Sequence, residues 1–575
     1  MSLIKTILFK MKKNTLFLTM LLVSYSGFAQ INSKLDSDYS KIDFYLDSIY
    51  GVKFKEYMDA QKKVEVDGLY KRLDQAIANP STVKSLEILN SSVSELPKGF
   101  EKLIYVEKIQ FRNCKNLDLK TTFEQLAKLP NLKDLEISFS NKYAISENLG
   151  QLTSLEKLNL EGNKFVTLPE SFVNLKNLKS LDVSQNAVIN EEMLFTVLSN
   201  MKNLKTLKAD YCQIRTVPNT TIYLQNISLQ GNLIKSLPIN LVNANSIDLS
   251  SNSLLELESI FTTLASSRSL KNLNLDYCKI AVLPVSIGNL KSLESLSLVG
   301  NILTILPAEI GNLSNLKSLD LSNEDIYLRT NRITEIPTSI GKLTNLETFK
   351  IKGNSITSLP KEFSKLTKLK TLDLNLNILK TFPSSITDLV ALKHLDLGLT
   401  EVTNIPSEIG KLVNLEYLDL SGNFFINYKL KIKEIPESFG NLVSLKTFLI
   451  RDNVVEVLPE SFGNLVNLEM LDLKDNLLAT LPESFGKLSS LKELNLKANE
   501  IKTLPNSFSN LPKLEVLNIA FNFNIDPTSV KQTIGKTTSL QLVDISDCYL
   551  DEATVNAMRA QLPNTTFKAI NLVKK

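Results

Sequence analysis

Residues 155–163, Leu-Glu-Lys-Leu-Asn-Leu-Glu-Gly-Asn, decide the fold, because their frame of apolar residues and a closing asparagine returns along most of the chain. Leu158, the second apolar residue of the frame, is here called the anchor of its repeat. Twenty anchors recur, mostly 23 residues apart, and a partial repeat is predicted at Ile570. Self-similarity at such a period predicts a solenoid rather than several separate domains. The twenty anchors are Leu86, Ile109, Leu135, Leu158, Leu181, Leu207, Ile227, Ile247, Leu273, Leu296, Leu319, Phe349, Leu372, Leu395, Leu418, Phe448, Leu471, Leu494, Leu517 and Val543.

Each repeat begins with a short strand, because the anchor and the residue two positions later are both apolar and lie on one strand face. The repeats bury these side chains only against their neighbours, so one continuous core is expected behind a parallel sheet that lines a concave face. The fifth residue after the anchor, the ladder position, lies where the chain turns away and must satisfy buried backbone groups. We expect the ladder position to hold Cys114, Asn163, Asn186, Cys212, Cys278, Asn301, Asn354, Asn423, Asn476, Asn499 and Cys548.

The second halves of the repeats are of two kinds. Most read Leu-Pro-x-x-Ile/Phe-Gly-x-Leu, as in residues 306–313 and 481–488, and this punctuation predicts extended or 3₁₀ segments. Others, in repeats of 26 or 27 residues, have apolar residues at helical spacing. Helices are predicted over Glu191–Asn200, Leu257–Ala265 and Asp551–Leu562, followed by a final strand over Phe567–Leu572.

The repeat frame resembles the leucine-rich-repeat family over residues 83–575. The Leu-Pro halves are similar to those of bacterial exported and Ras-group leucine-rich-repeat proteins. The resemblance implies an α/β solenoid curved like a horseshoe, about twenty repeats long, that acts in protein–protein interaction. It also implies that cysteine substitutes for asparagine at the ladder position.

The first 29 residues are predicted to be a secretory signal peptide. The basic pair Lys12 and Lys13 precedes the apolar run Leu16–Val23, and small residues then precede a cleavage point before Gln30. The run is shorter than the roughly 20 residues that cross a bilayer. We therefore expect export to the medium, the cell surface or the periplasm, with no membrane span after cleavage.

Residues 30–82 contain no repeat and are predicted to form a small helical cap at the N-terminal end of the solenoid. Apolar residues from Val66 to Ile77 fall on one helical face, and Asn79-Pro80 ends the pattern. An open sheet edge invites pairing with other chains, so a cap is expected there.

Charge excludes a nucleic-acid partner. The chain has 65 Lys plus Arg and 61 Asp plus Glu, but four of the lysines lie in residues 1–29, so the remainder balances at 61 against 61. The positions one before, one after and three after each anchor hold fifteen acids and nine bases, a mildly acidic concave face.

Disulfides are not expected, although export and an even number of cysteines would favour them. All four cysteines fall at the ladder position, and Cys212 and Cys278 lie three repeats apart. At about 4.8 Å per repeat this separation exceeds the roughly 7 Å Cα limit of a disulfide. Buried, free thiols are therefore predicted.

Catalysis is not expected, and no cofactor or metal is predicted. His394, the single histidine, precedes an anchor near Asp373, Asp396 and Asp419, but no nucleophile motif or oxyanion motif accompanies it. An aspartate column at about 4.8 Å spacing also forms no closed metal cage.

Two seven-residue insertions interrupt the 23-residue spacing, at about Asn323–Arg329 and Phe424–Leu430. Insertions in repeat proteins map to loops on one face, which is often the binding face. The second insertion is apolar and lies near apolar residues at predicted concave positions of four successive repeats. It is left open whether the insertion binds a partner with these residues or only packs over them. The hypothetical binding residues are Leu399, Tyr417, Leu449, Met470, Phe424, Phe425 and Tyr428.

The sequence thus predicts a non-enzymatic binding protein that holds a protein, or alternatively a glycan, on its concave face and inserted rim. Export favours adhesion or host contact. Two alternatives stay open: a structural scaffold of the cell envelope, and an intracellular signalling scaffold if the leader is not cleaved.

Overall fold

The computed structural model describes residues 72–219, 222–237, 241, 243–323, 331–422 and 431–572. In this part of the chain, twenty-one short strands form one parallel sheet, and each strand pairs with the next along the chain. Neighbouring anchors lie in register, as Leu158 does opposite Leu181. The strands are β1 (Ser85–Leu89), β2 (Lys108–Arg112), β3 (Asp134–Ser138), β4 (Lys157–Asn159), β5 (Ser180–Asp182), β6 (Thr206–Lys208), β7 (Asn226–Ser228), β8 (Ser246–Asp248), β9 (Asn272–Asn274), β10 (Ser295–Ser297), β11 (Ser318–Asp320), β12 (Thr348–Lys350), β13 (Thr371–Asp373), β14 (His394–Asp396), β15 (Tyr417–Asp419), β16 (Thr447–Leu449), β17 (Met470–Asp472), β18 (Glu493–Asn495), β19 (Val516–Asn518), β20 (Leu542–Asp544) and β21 (Thr566–Lys568).

The predicted α/β solenoid is confirmed, but its last repeat differs from the prediction. Phe567, not Ile570, pairs with the anchor Val543, so this repeat spans 24 residues (543 to 567). Ile570 is 63% exposed. The chain turns back to the sheet early because Leu562 is buried directly after the last helix and Thr566 N donates to a carbonyl of the preceding repeat.

Five α-helices of seven to ten residues lie behind the sheet in the described part of the chain. Three match the predicted helical halves, and two, α1 and α4, were not predicted. In four of the five, an Asp or Asn side chain at the N-cap accepts a hydrogen bond from a backbone N–H of the first turn. The helices are α1 (Leu119–Leu126), α2 (Glu191–Ser199), α3 (Leu257–Leu264), α4 (Pro527–Thr533) and α5 (Glu552–Gln561).

The Leu-Pro halves form 3₁₀ helices, most of them five residues long with a proline at the N-cap. Proline suits this place because its fixed φ leads into the turn and it has no N–H to leave unpaired. The 3₁₀ helices are Pro80–Thr82, Phe100–Lys102, Glu147–Gln151, Glu170–Asn174, Val285–Asn289, Ala308–Asn312, Thr338–Lys342, Lys361–Lys365, Ser384–Ile386, Ser407–Lys411, Glu437–Asn441, Glu460–Asn464, Glu483–Lys487, Asn506–Asn510 and Ile534–Lys536.

The core runs without interruption between the sheet and these helices. Towards the C-terminal end its centre is a column of fully buried phenylalanines, one from each 3₁₀ helix. The rings of Phe462, Phe485 and Phe508 follow one another at 6.3 Å between centroids and within 3° of parallel. Identical contacts therefore repeat at each step of the array, as expected for a solenoid whose repeats stabilise one another.

At the N-terminal end, residues 72–78 are helical, and Leu73 is buried against the first repeat. The remainder of the predicted cap and the whole predicted signal peptide lie outside the described residues, as do residues 324–330 and 423–430 of the two insertions. Within the ranges that the structure describes, no helix is both long and apolar enough to cross a bilayer.

Candidate functional site

The open face of the sheet, the face directed away from the core and predicted as concave, carries an apolar surface on four adjacent strands. It is here called the open-face patch and consists of His394 on β14, Tyr417 on β15, Leu449 on β16 and Met470 on β17. The imidazole of His394 and the ring of Tyr417 lie opposite each other and stack, with centroids 4.2 Å apart and planes within 9°. Leu449 is half-buried, and Met470 is 37% exposed. The patch is therefore accessible and held in place by the strands beneath it.

Of the other predicted binding residues, the structure describes Leu399 alone. Leu399 lies beyond β14 with a left-handed backbone, φ 55°, at the rim where the strands end. Its backbone N–H donates to Ser421 O of the next repeat at 2.7 Å. Phe424, Phe425 and Tyr428 lie outside the described residues.

Three carboxylates lie beside the patch on the same face. Asp373, Asp396 and Asp419 occupy equivalent places on β13, β14 and β15, in register. Burial raises the pKa of each of the three carboxyl groups, and a neighbouring aspartate adds to the rise in every case. His394 is also partly buried, and burial lowers its pKa. The centre of the face thus combines aromatic rings with carboxyl groups whose charged form is destabilised by burial.

The predicted ladder residues hold neighbouring repeats together. Asn186 Nδ2 donates to Leu160 O of the previous repeat at 3.1 Å and to Val183 O of its own repeat at 2.8 Å. Its Oδ1 accepts from Phe165 N at 3.0 Å. Asn423 lies outside the described residues. The same three kinds of hydrogen bond are made by Asn163, Asn301, Asn354, Asn476 and Asn499.

Asn331 is a ladder residue that the sequence reasoning missed. Its Nδ2 donates to Leu298 O and Leu321 O, and its Oδ1 accepts from Leu303 N at 3.0 Å. The first insertion therefore separates the strand from its ladder asparagine. The signal was present, because Asn331-Arg-Ile follows the insertion in the same way that Asn354-Ser-Ile follows an uninterrupted strand.

The four cysteines at ladder positions are free and buried. Cys278 Sγ donates to Leu249 O of the previous repeat at 3.2 Å, the kind of bond that asparagine makes through Nδ2. Burial raises the pKa of the Cys278 thiol to about 12, so it stays protonated and can donate. The remaining thiols, each with a raised pKa and a sulfur that donates to a backbone carbonyl, are Cys114, Cys212 and Cys548.

Two further surface features were not predicted. Two residues before the anchor, lysine and glutamate alternate between many neighbouring repeats. Glu416 accepts from both Lys393 and Lys446, at 2.8 and 2.7 Å, and these bonds hold its pKa at about 2. Each such exposed pair contributes little to stability. The second feature is an exposed aromatic cluster, in which Phe523 lies 6.2 Å from Phe521 and 5.4 Å from Tyr549 between ring centroids.

One open-face carboxylate gives a test of the electrostatics. Burial raises the pKa of Asp276 from 3.8 to about 6, and Asp320 and Asp248 add to the rise. Because the folded pKa is above the ordinary value, protonation stabilises the fold below about pH 4, and this stability is lost as the pH rises through 6. We expect Asp276→Asn to stabilise the chain by about 1 kcal/mol at pH 7, after solvent screening is allowed for.

The measurement is the midpoint of thermal unfolding of wild type and variant at pH 7 and pH 4. Asparagine keeps an oxygen that can accept from Ser297 Oγ and Val299 N, which now donate to Asp276 Oδ1 at 2.6 and 2.7 Å. The gain should disappear at pH 4. An equal gain at both pH values would show that charge is not its cause.

In the described part of the chain, no group of three or more His, Cys, Asp or Glu side chains is arranged to hold a metal ion.

Family models match much of the repeat array. A leucine-rich repeat region matches residues 380–476, a leucine-rich repeat model matches residues 130–188, 324–379 and 479–522, and a single leucine-rich repeat matches residues 467–488. No curated protein sequence is significantly similar to this chain.

Solved structures show the same fold at low sequence identity. A chain of the Toll–Spatzle complex of Drosophila is 19% identical, with 81% of this chain and 60% of that chain covered and a TM-score of 0.55. The ectodomain of the Arabidopsis thaliana receptor kinase GASSHO1/SCHENGEN3, in complex with CASPARIAN STRIP INTEGRITY FACTOR 2, is 20% identical, with coverages of 84% and 66% and a TM-score of 0.50. A leucine-rich-repeat protein of Leptospira interrogans is 24% identical, with coverages of 86% and 98% and a TM-score of 0.48. The repeat frame, the single parallel sheet and the matched models together show that this chain belongs to the leucine-rich-repeat family.

Proposed function

We propose that this chain is an exported, non-enzymatic binding protein that holds a protein partner on the open face of its sheet, at the open-face patch. The observation that carries the proposal is the stacked pair His394–Tyr417 with Leu449 and Met470 beside it. Two of the similar structures, each with a TM-score of at least 0.50, are complexes, of Toll with Spatzle and of GASSHO1/SCHENGEN3 with CASPARIAN STRIP INTEGRITY FACTOR 2, so this fold holds binding partners in those proteins.

The patch differs from strands β7 to β11 of the same face, and the face also has apolar residues at Val516 on β19 and Leu542 on β20. Aromatic and methionine side chains are enriched at the centres of interfaces, where small polar residues are depleted. On the five strands β7 to β11, the same two strand positions carry only small polar or acidic residues. These residues are Asn226, Ser228, Ser246, Asp248, Asn272, Asn274, Ser295, Ser297, Ser318 and Asp320.

A protein fits this surface better than a glycan does, because Leu449 and Met470 offer aliphatic contacts beside the rings and bury favourably against apolar side chains. His394 has a structural part in the patch through its stacking on Tyr417. Export by residues 1–29 would place the binding face outside the cytoplasm, where adhesion or host contact is the role we propose.

The double variant Tyr417→Ala/Leu449→Ala tests the proposal. The immobilised wild-type chain and the variant are compared for the proteins that they retain from cell extracts, with unfolding midpoints measured in parallel. A specific partner of the wild type should be retained at least about tenfold less by the variant. Both side chains are only half-buried, so the variant should lose no more than about 1–2 kcal/mol of stability.

The matched control is Ile104→Ala/Tyr105→Ala, which removes a similar apolar area from a distant exposed turn, since Ile104 is 42% and Tyr105 is 49% exposed. The control should keep the partner. If the patch variant keeps every protein that the wild type retains, a structural scaffold without a discrete binding site becomes the better description.

A further inference from the structure

The carboxylates beside the open-face patch are short of positive partners. Among the residues that the structure describes, no lysine or arginine nitrogen forms an ion pair with Asp373, Asp396 or Asp419. Their hydrogen bonds reach Oδ1 alone and come from neutral donors: Asn375 N to Asp373, Asn375 Nδ2 and Gly398 N to Asp396, and Ser421 N to Asp419, at 2.8 to 3.0 Å. Asp373 and Asp396, which are partly exposed, therefore keep acceptor capacity for a charged donor, whereas Asp419 is only 6% exposed.

No lysine or arginine occupies the open face of these three repeats. The strand and rim positions that face outward on β13 to β15 hold nine residues, of which three are aspartates and one is His394. Lysine and arginine appear on the neighbouring repeats, with Lys350 and Lys352 on one side and Arg451 on the other. Lys350 and Lys352 act over a distance on Asp373, and Arg451 acts on Asp419, yet burial is the largest influence and leaves the pKa of all three carboxyl groups raised.

The acidic centre and the patch are joined by the strand register. Asp396 shares β14 with His394, and Asp419 shares β15 with Tyr417. Asp419 lies directly opposite Leu449. Neighbouring strands are about 4.8 Å apart, so an aspartate and an apolar patch residue lie about 5 to 10 Å from each other across the face. Side chains on one face of an extended segment repeat at about 7 Å, which matches this separation.

We propose that the partner docks as an extended basic segment, with a lysine or arginine side chain over Asp373 and Asp396 and an apolar side chain two residues away on the open-face patch. This inference rests on the proposed function and names the chemistry of its partner. A charged donor would make the charge-assisted bonds that the Oδ2 atoms can accept, and charge complementarity would select the partner and its register.

Fluorescently labelled short peptides test this chemistry. One peptide repeats Lys-Ser-Leu-Ser, which places lysine and leucine two residues apart on the same face of an extended segment, and its matched partner has glutamate in place of each lysine. Fluorescence anisotropy with the full chain should show that the lysine peptide binds at least about tenfold more tightly than the glutamate peptide. The variant Asp373→Asn/Asp396→Asn/Asp419→Asn should lose at least about tenfold in affinity for the lysine peptide.

The control variant removes the same number of charges from the same strand position on distant repeats: Asp182→Asn/Asp248→Asn/Asp544→Asn on β5, β8 and β20. It should change the affinity less than about twofold. Equal binding of the two peptides, or an equal loss in both variants, overturns the inference. Failure of the proposed function looks different, because the partner would then be retained by Tyr417→Ala/Leu449→Ala. If that variant loses its partner while the peptides bind alike, only the basic chemistry is refuted.

Discussion

Replacing Asn499 with alanine is expected to destabilise its part of the array by about 2–4 kcal/mol. Asn499 Nδ2 donates to Leu473 O at 2.9 Å and to Leu496 O at 3.1 Å, and Oδ1 accepts from Leu478 N at 3.1 Å. The side chain is 7% exposed. Alanine would leave Leu478 N buried without a partner, which costs about 1–3 kcal/mol, and would remove one of the two side-chain donors from each carbonyl, since Asn476 Nδ2 still reaches Leu473 O and Asn522 Nδ2 still reaches Leu496 O.

The control for this prediction is Cys278→Ala. A thiol can donate to a carbonyl but cannot replace Oδ1 as a strong acceptor, so alanine at position 278 should cost only about 1–2 kcal/mol. Repeat arrays do not unfold in a single two-state step, so the measurement is hydrogen exchange of amides in the flanking repeats rather than one global midpoint. Equal losses of protection in the two variants would contradict this account of the ladder.

The presence of cysteine rather than asparagine at ladder positions 212 and 278 has a structural cause, which does not extend to Cys114, because Val93 in the repeat before it is buried. In a 23-residue repeat, the residue two positions after the ladder position is turned inward, and Phe165 is an example. Its buried N–H needs an acceptor, which is Oδ1 of Asn186, the ladder asparagine of the next repeat. In the helical repeats with ladder residues Asn186 and Asn252, the equivalent residues Val188 and Leu254 are 54% and 46% exposed. Water can reach these groups, so the following ladder residue needs only a donor, and the chain has Cys212 and Cys278 there.

The link between long repeats, helices and a following cysteine could have indicated α1 and α4 from the sequence. Both helices lie in 26-residue repeats, between the anchors Ile109 and Leu135 and between Leu517 and Val543. The long spacing was available, and Cys548 follows the second of these repeats. The seven residues of α4 are too few for a clear apolar periodicity, whereas α1 has eight residues, as many as the predicted α3, so length does not explain why α1 was missed.

The strands and anchors could be predicted because the same pattern of apolar residues recurs in every repeat. A wrong assignment in one repeat is therefore corrected by comparison with its neighbours. Local departures have no such redundancy. The left-handed backbone of Leu399 at the rim depends on the turn that follows β14. The stacking of His394 on Tyr417 depends on register between repeats 23 residues apart, which the sequence supports but does not show by itself.

The glycine of the Leu-Pro halves is required by the neighbouring repeat, a role that the sequence analysis did not assign. A Cβ on Gly463 would lie 2.3 Å from Ser484 O and 2.6 Å from Ser484 Cβ in the 3₁₀ helix of the next repeat. Serine occupies the equivalent place at position 509, where the next repeat has α4 in place of a 3₁₀ helix. The chain therefore excludes a side chain where two five-residue 3₁₀ helices stack, and accepts one where they do not.

Gly463→Ala is accordingly expected to destabilise the array by about 2–3 kcal/mol, because the clash is with the backbone and can be relieved only by separating two repeats. Separation would also disturb the buried contact between Phe462 and Phe485, whose ring centroids are 6.3 Å apart. Denaturation by urea, with hydrogen exchange to locate the opening, measures the loss. The control Ser509→Ala should stay within about 0.5 kcal/mol of wild type. A Gly463→Ala protein as stable as wild type would mean that the 3₁₀ helices can move apart freely, and close stacking behind the sheet could not then explain the glycine.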